Sequence, residues 1–333
     1  MARLKLALLV GAFAGLTALG VWYAAPSGDV LATFTGELSA LPIGGVLLLV
    51  ALGLACIATE MFRLMVFGRV LGTTISARAA FDASLANDLF TWISPGGLLG
   101  EPAAIWFMTR RGVPAEVSLA ISFGKFATSF ALFMGLAAIL LAAGFGPAVA
   151  DWAVVSIALT IGFGLVLIGG FLVGAVWPAF ARRAIGWLQG TSQPPAVRGR
   201  LGALLARSID RLVLFRTAGP SGWLVITGSH LLYYGSYVGL FLALGYLFDA
   251  RGTTGEVVGT SIVYQAFAYI APAPGIPEAG AHVFFDELFP GGGALVVVIL
   301  FRGITAYAQV LLGLIYLPIR GVTDALLSRR ARR

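Results

Sequence analysis

The sequence predicts an all-α polytopic membrane protein of about six full spans plus two re-entrant helical hairpins of opposite orientation, an inverted repeat. Three observations carry this. First, 59% of the 333 residues are hydrophobic, only 11% are charged, and the mean hydropathy is +0.94; a soluble domain is nearer half apolar and a quarter charged. Second, two apolar regions are broken by related segments, Ser94-Pro95-Gly96-Gly97-Leu98-Leu99-Gly100-Glu101-Pro102 and Ala273-Pro274-Gly275-Ile276-Pro277-Glu278-Ala279-Gly280. Third, the basic residues fall almost entirely on one side of the topology these segments imply.

The elements follow in order. Leu6–Ala25 and Leu41–Phe62 are long enough to cross a bilayer, which takes ~20 apolar residues. The first run, Leu4–Tyr23, has Arg3 and Lys5 before it, but it is long for a signal peptide and no small-residue cleavage site precedes Pro26; it reads as a retained helix. The second span is Leu41–Phe62, followed by a short loop carrying Arg63, Arg69 and Arg78. Ala79–Ile93 is apolar but short and ends at the first break; the chain then returns to Arg110 and Arg111. Ala115–Ala143 and Trp152–Phe180 are the third and fourth spans, and 181–220 is a basic loop. Gly222–Phe248 is the fifth span, Val257–Ala271 leads into the second break, and Ala294–Pro318 is the sixth. The basic tail is 319–333. No polar linker divides the chain, so 1–333 reads as a single integral membrane domain.

With both breaks as hairpins that enter and leave on one face, nineteen basic residues lie on the cytoplasmic side and Arg251 alone outside. That is the bias of the positive-inside rule. It places both termini in the cytoplasm. If one hairpin crossed fully, the later basic loops would invert; if both did, only the stretch from Arg110 to Asp151 would, at the cost of Arg110 and Arg111. The net charge of +7 therefore marks topology, and no nucleic-acid partner is expected. The single cysteine, Cys56, excludes an internal disulfide framework.

Broken helices at membrane depth persist only where protein or a water-filled cavity satisfies the freed backbone. Two such breaks, one in each half, point to a binding site between half-helices. Gly96, Gly97, Gly100 and Gly275 allow the break, and Pro95, Pro102, Pro274 and Pro277 enforce it. Glu101 and Glu278 open the returning halves, where a carboxylate either caps a helix start or faces a polar cavity. Lys125 and Arg302 are cations at depth, costly unless paired or bound to an anionic ligand. The expected ion-pair partners are Glu101, Asp88 and Glu278; the sharper reading is a lipid phosphate. Asp88 and Gln265 precede the two breaks, beside Asn87 and Tyr264, and either bond the freed backbone or line the cavity. Asp82 reads as interfacial. Glu278, His282 and Asp286 recur at helical spacing on one face, which suits an interfacial polar face better than a proton relay or a metal. No metal, other cofactor or catalytic motif is expected.

At the breaks the chain resembles the transmembrane, flippase-like region of lysylphosphatidylglycerol synthases and their stand-alone relatives. The resembling residues are Pro95-Gly96-Gly97, Gly100-Glu101-Pro102, Arg110-Arg111-Gly112-Val113, Ala271-Pro272-Ala273-Pro274-Gly275-Ile276-Pro277-Glu278-Ala279 and, in the last span, Arg302. Family members often carry an Arg shortly after the first Glu; here Ala103–Met108 are uncharged, and Lys125 is the candidate substitute. The resemblance implies translocation of an anionic or aminoacylated phospholipid, or a lipid-linked phosphate, between leaflets. It also implies a membrane phospholipid with an anionic head group as partner and Glu101, Lys125, Glu278 and Arg302 as site residues. The chain stops at Arg333, so the aminoacyl transfer of the full-length enzymes is expected to be absent. A homo-oligomer is possible. The rival readings are a proton-coupled secondary transporter of a small solute, an intramembrane lipid-modifying enzyme and a non-transporting membrane partner.

Overall fold

The structure is a computed structural model that describes residues 30–94, 99–144, 162, 165–166, 168–189, 195–270, 276–290 and 293–330. Every regular element among them is helical. In chain order they are α1 (Val30–Ala40), α2 (Ile43–Val70), α3 (Ala77–Ile93), α4 (Gly100–Arg110) and α5 (Ala115–Ala142). After a helical stretch at 168–176 come α6 (Pro178–Gln189), α7 (Pro195–Thr217), α8 (Gly219–Leu247), α9 (Thr254–Ile270), α10 (Ile276–Ala279), α11 (Ala281–Phe285) and α12 (Gly293–Arg302). A π-helical turn, Gly303–Tyr307, joins α12 to α13 (Ala308–Arg330).

Among the described residues, three helices are long and apolar enough to cross a bilayer: Ile43–Val70, Ala115–Leu140 and Gly293–Arg320. They fall on the second, third and sixth expected spans. The fifth expected span falls on α8, a helix of 29 residues that is not one of the three, its apolar character diluted by Ser229, His230, Tyr233, Tyr234, Ser236 and Tyr237. The first expected span and most of the fourth lie outside the described residues. The fourth was expected to run to Phe180, but its helix stops at residue 176. Pro178 disfavours helical backbone at Trp177 and opens α6 in a new direction. The second span also runs past its expected end at Phe62, so Arg63 is not a loop residue. It is 4% exposed within α2, and the basic bias across the faces becomes eighteen to one.

Both breaks sit in antiparallel helical hairpins. In the first, α3 and α4 run back along each other: Thr91 meets Gly100, Asn87 bonds Glu101, and Asp82 near the base pairs with Arg111. Gly100 has no alternative, since a Cβ there would sit 1.9 Å from Thr91 Oγ1. In the second, Gly280 packs on Phe267, Tyr264 on Phe284, and at the base Arg251 N donates to Leu288 O at 2.8 Å. The returning arm breaks again at Gly280, so Glu278 and Asp286 do not share a continuous helix face. Glu278 is buried and Asp286 exposed, while the side chain of His282 lies outside what is described.

The two halves correspond at a constant offset of 177 residues. Shifted by that number, α2 and α3 fall on α8 and α9 to within one residue at each end, and the start of α5 falls within one residue of the start of α12. Local details repeat. Ala79 N donates to Ser76 Oγ, and Glu256 N to Thr253 Oγ1, both at 3.2 Å. The turn before each hairpin needs a positive φ, at Gly72 (70°) and Asp249 (48°), the left-handed region that Gly and Asp tolerate best. Thr73 N donates to Gly68 O and Ala250 N to Gly245 O, both at 2.8 Å.

The halves are also inverted. Helices α2 and α8 pack antiparallel at the centre: Gly45 lies against Leu247, Leu52 against Gly239 and Arg63 against His230. Thr59 and Ser236, equivalent positions, are 3.3 Å apart through their hydroxyls and separated by 177 residues. A pseudo-two-fold axis therefore passes between them, across the helices. Along the final span the consequence is visible. The base of the second hairpin adjoins its start, where Ala294 N donates to Phe289 O. The base of the first adjoins its far part, where Tyr316 meets Phe81 at 5.2 Å between rings. Between them the described arm ends, at Trp92 and Glu278, both meet Arg302.

Candidate functional site

Arg302 joins the described ends of the two hairpins. It is 2% exposed. Its Nε donates to Glu278 Oε1 at 3.0 Å, and its Cζ lies 4.0 Å over the Trp92 ring at the end of α3. One residue thus binds the carboxylate of one hairpin and the aromatic tip of the other. Tyr307 also donates to Glu278. The π turn makes this possible. At ~100° per residue, positions five apart on an α-helix diverge by roughly 140°, whereas the wider π turn brings Arg302 and Tyr307 onto one side. Arg302 Nη2 is buried and has no partner among the described residues.

The equivalent pair in the first half is Glu101 and Lys125. As with Glu278 and Arg302, the two are 24 residues apart, and Lys125 Nζ lies 3.1 Å from Glu101 Oε1. The same relation is elaborated here into a larger buried network. Lys125 also holds Glu60 Oε1 at 2.8 Å, and Arg63 pairs with the other oxygen of Glu60. Arg63 Nη1 donates to Ser129 Oγ at 2.9 Å and to His230 Nδ1 at 3.4 Å. Arg63 Cζ sits 3.7 Å over the Tyr233 ring. An arginine has no acceptor, so His230 Nδ1 accepts and its Nε2–H donates to Thr128 Oγ1 at 2.9 Å. Asn87 Nδ2 donates to Glu101 Oε1 at 2.9 Å. Two cations meet two carboxylates in a water-poor interior, where breaking one member leaves an uncompensated charge.

Of the expected site residues, Glu101 with Lys125 and Glu278 with Arg302 form the anticipated pairs. Asp88 is half-buried beside them; with the Gln309 amide turned to suit its surroundings, Nε2 donates to Asp88 Oδ2 at 2.9 Å. Gln265, at the equivalent position, is half-buried, with Nε2 unpartnered among the described residues. Gly100 and Pro102 lie in the first turn of α4 and Pro277 in that of α10. Pro95, Gly96, Gly97, Pro274 and Gly275 lie outside the described residues. Asp82, near the base of the first hairpin, is fully buried within the protein, with Arg111 Nε at 2.6 Å. Glu60, Arg63, Trp92, Tyr307 and Gln309 were missed. The available signal was an acid and a base three apart, Glu60 and Arg63, at the end of an apolar run.

Fold and site together define a class: a helical membrane protein of two inverted units, in each of which a span-borne cation clamps the carboxylate at a hairpin break. Within that class the chain belongs to the family described as the lysylphosphatidylglycerol synthase TM region, whose model matches residues 4–313. No curated protein matches the chain.

Proposed function

We propose that the protein moves an anionic or aminoacylated phospholipid, or a lipid-linked phosphate, between the leaflets of a prokaryotic cytoplasmic membrane. The hairpins would be re-entrant from opposite faces. The arms of the first, of 17 and 11 residues, measure about 25 and 16 Å at 1.5 Å per residue, short of the ~30 Å hydrocarbon core. Eighteen basic residues on one face against Arg251 on the other support cytoplasmic termini. Membership of a family named for the membrane region of a lipid-acting enzyme supports a lipid substrate and a transporter-like role. The observation that carries the reading is Nη2 of Arg302, a buried guanidinium donor with no partner among the described residues. Guanidinium groups suit phosphate, and a head group passing between the tips would complete this one while displacing Glu278.

The test is leaflet exchange of fluorescent phosphatidylglycerol in proteoliposomes, with folding verified by size exclusion. The Glu278→Gln, Arg302→Ala double variant should lose at least about tenfold in rate, the loss of one charge-assisted contact of ~1.5–3 kcal/mol. Equal exchange by both proteins would sink the proposal.

A further inference from the structure

The network around the first hairpin tip is electrically closed before Asp88 is counted. Arg63 and Lys125 already hold Glu60 and Glu101. Asp88 is a third carboxyl group, and among the described residues it makes no ion pair. The charged and titratable groups within electrostatic reach of it are Cys56, Glu60 and Arg63 on α2, Glu101 on α4, Lys125 on α5, and Tyr233 and Tyr237 on α8. Gln309, from the final span, is a neutral amide. An ionised Asp88 leaves this buried group with a net charge of −1; a protonated one leaves it at zero. The fold itself accepts a neutral side chain here, since the equivalent position in the other half is the amide Gln265.

We infer that Asp88 is a proton-binding site, and that its proton controls the clamp between Lys125 and Glu101. The step balances simply: an aqueous proton adds to the Asp88 carboxylate and is later returned. When the proton leaves, the new carboxylate competes for Lys125 Nζ. The contact to Glu101, at 3.1 Å, is the longer of the two that Lys125 makes, and it yields first, freeing the arm of the hairpin that begins at Gly100. The proton site stands independently of lipid translocation; its coupling to movement rests on that reading.

The experiment uses the whole protein in nanodiscs, titrated by infrared difference spectroscopy in the carboxylic-acid C=O region. A protonated-carboxyl band should disappear as pH rises, be absent from Asp88→Asn, and return, shifted, in Asp88→Glu. A band unchanged in Asp88→Asn overturns the proton site. In proteoliposomes, exchange of fluorescent phosphatidylglycerol should change about tenfold per pH unit beyond the titration point, the slope of a single group's proton occupancy. Exchange by Asp88→Asn should be flat with pH. An unaltered pH response in that variant overturns the coupling. If the wild type moves no lipid at any pH, the translocation reading fails and the spectrum alone decides the proton site.

Discussion

At the scale of single residues, Glu60 is the most consequential side chain in the first half. It is 6% exposed and bridges both cations, Arg63 on its own helix and Lys125 on α5. Replacing it with Ala leaves Arg63 without its carboxylate and Lys125 with only Glu101. Removing one member of a buried ion network costs about 3–5 kcal/mol. The midpoint of thermal unfolding in detergent should fall accordingly for Glu60→Ala, and part of the loss should be recovered in a Glu60→Leu, Arg63→Met pair that removes both charges together. A midpoint unchanged in Glu60→Ala would show that the network contributes nothing to stability. The pairs Glu101–Lys125 and Glu278–Arg302 were readable in sequence because a charge at membrane depth demands a partner and few partners were on offer. Arg63 was not, because loop and helix end are indistinguishable to composition. Three arginines before a hairpin read equally well as a basic loop, and only packing against Ser129, His230 and Tyr233 shows that one of them is interior.

At the scale of elements, the π turn Gly303–Tyr307 is the feature that breaks the equivalence of the two halves. The corresponding stretch of α5 is regular α-helix. The turn pushes Ile304 outward against α2, where Gly53 admits it: a Cβ on Gly53 would lie 2.5 Å from Ile304 Cγ2. Gly53→Ala should therefore destabilise by about 1–3 kcal/mol, the range for overpacking. Ile304→Ala in the same chain should recover most of that. The two changes form a double-mutant cycle on thermal stability, and additive effects would show that the contact is not strained. Nothing in the sequence announced the π turn, since Gly-Ile-Thr-Ala-Tyr is compatible with an ordinary helix. It exists because Arg302 and Tyr307 both satisfy one buried carboxylate, a long-range requirement. The hairpins were legible for the opposite reason. Pro and Gly punctuate the chain locally, and the short apolar arms on either side leave few alternatives.

At the scale of the whole molecule, the repeat was legible as topology and illegible as sequence. Lipid-facing positions accept any apolar side chain, so equivalent residues have drifted while caps, turns and clamps kept their places: Ser76 with Thr253, Gly72 with Asp249, Glu101 with Glu278, Lys125 with Arg302. Antiparallel contact of α2 and α8 at Thr59 and Ser236 fixes the halves as inverted with respect to each other. It does not depend on where the membrane lies, which is what the charge bias contributes. The two together give a prediction that neither gives alone. In a Cys56→Ser background, single cysteines at Arg78 and Arg110, both exposed at the base of the first hairpin, should react with a membrane-impermeant thiol reagent from the cytoplasmic side only. Cysteines at Thr253 and Asp286, exposed at the base of the second, should react from the opposite side only. A hairpin that crossed the bilayer would label its two ends from different sides. Labelling of 78 and 110 from opposite faces would therefore remove the first re-entrant arm while leaving the internal two-fold intact. All four sites reacting from one face would overturn the inverted arrangement itself.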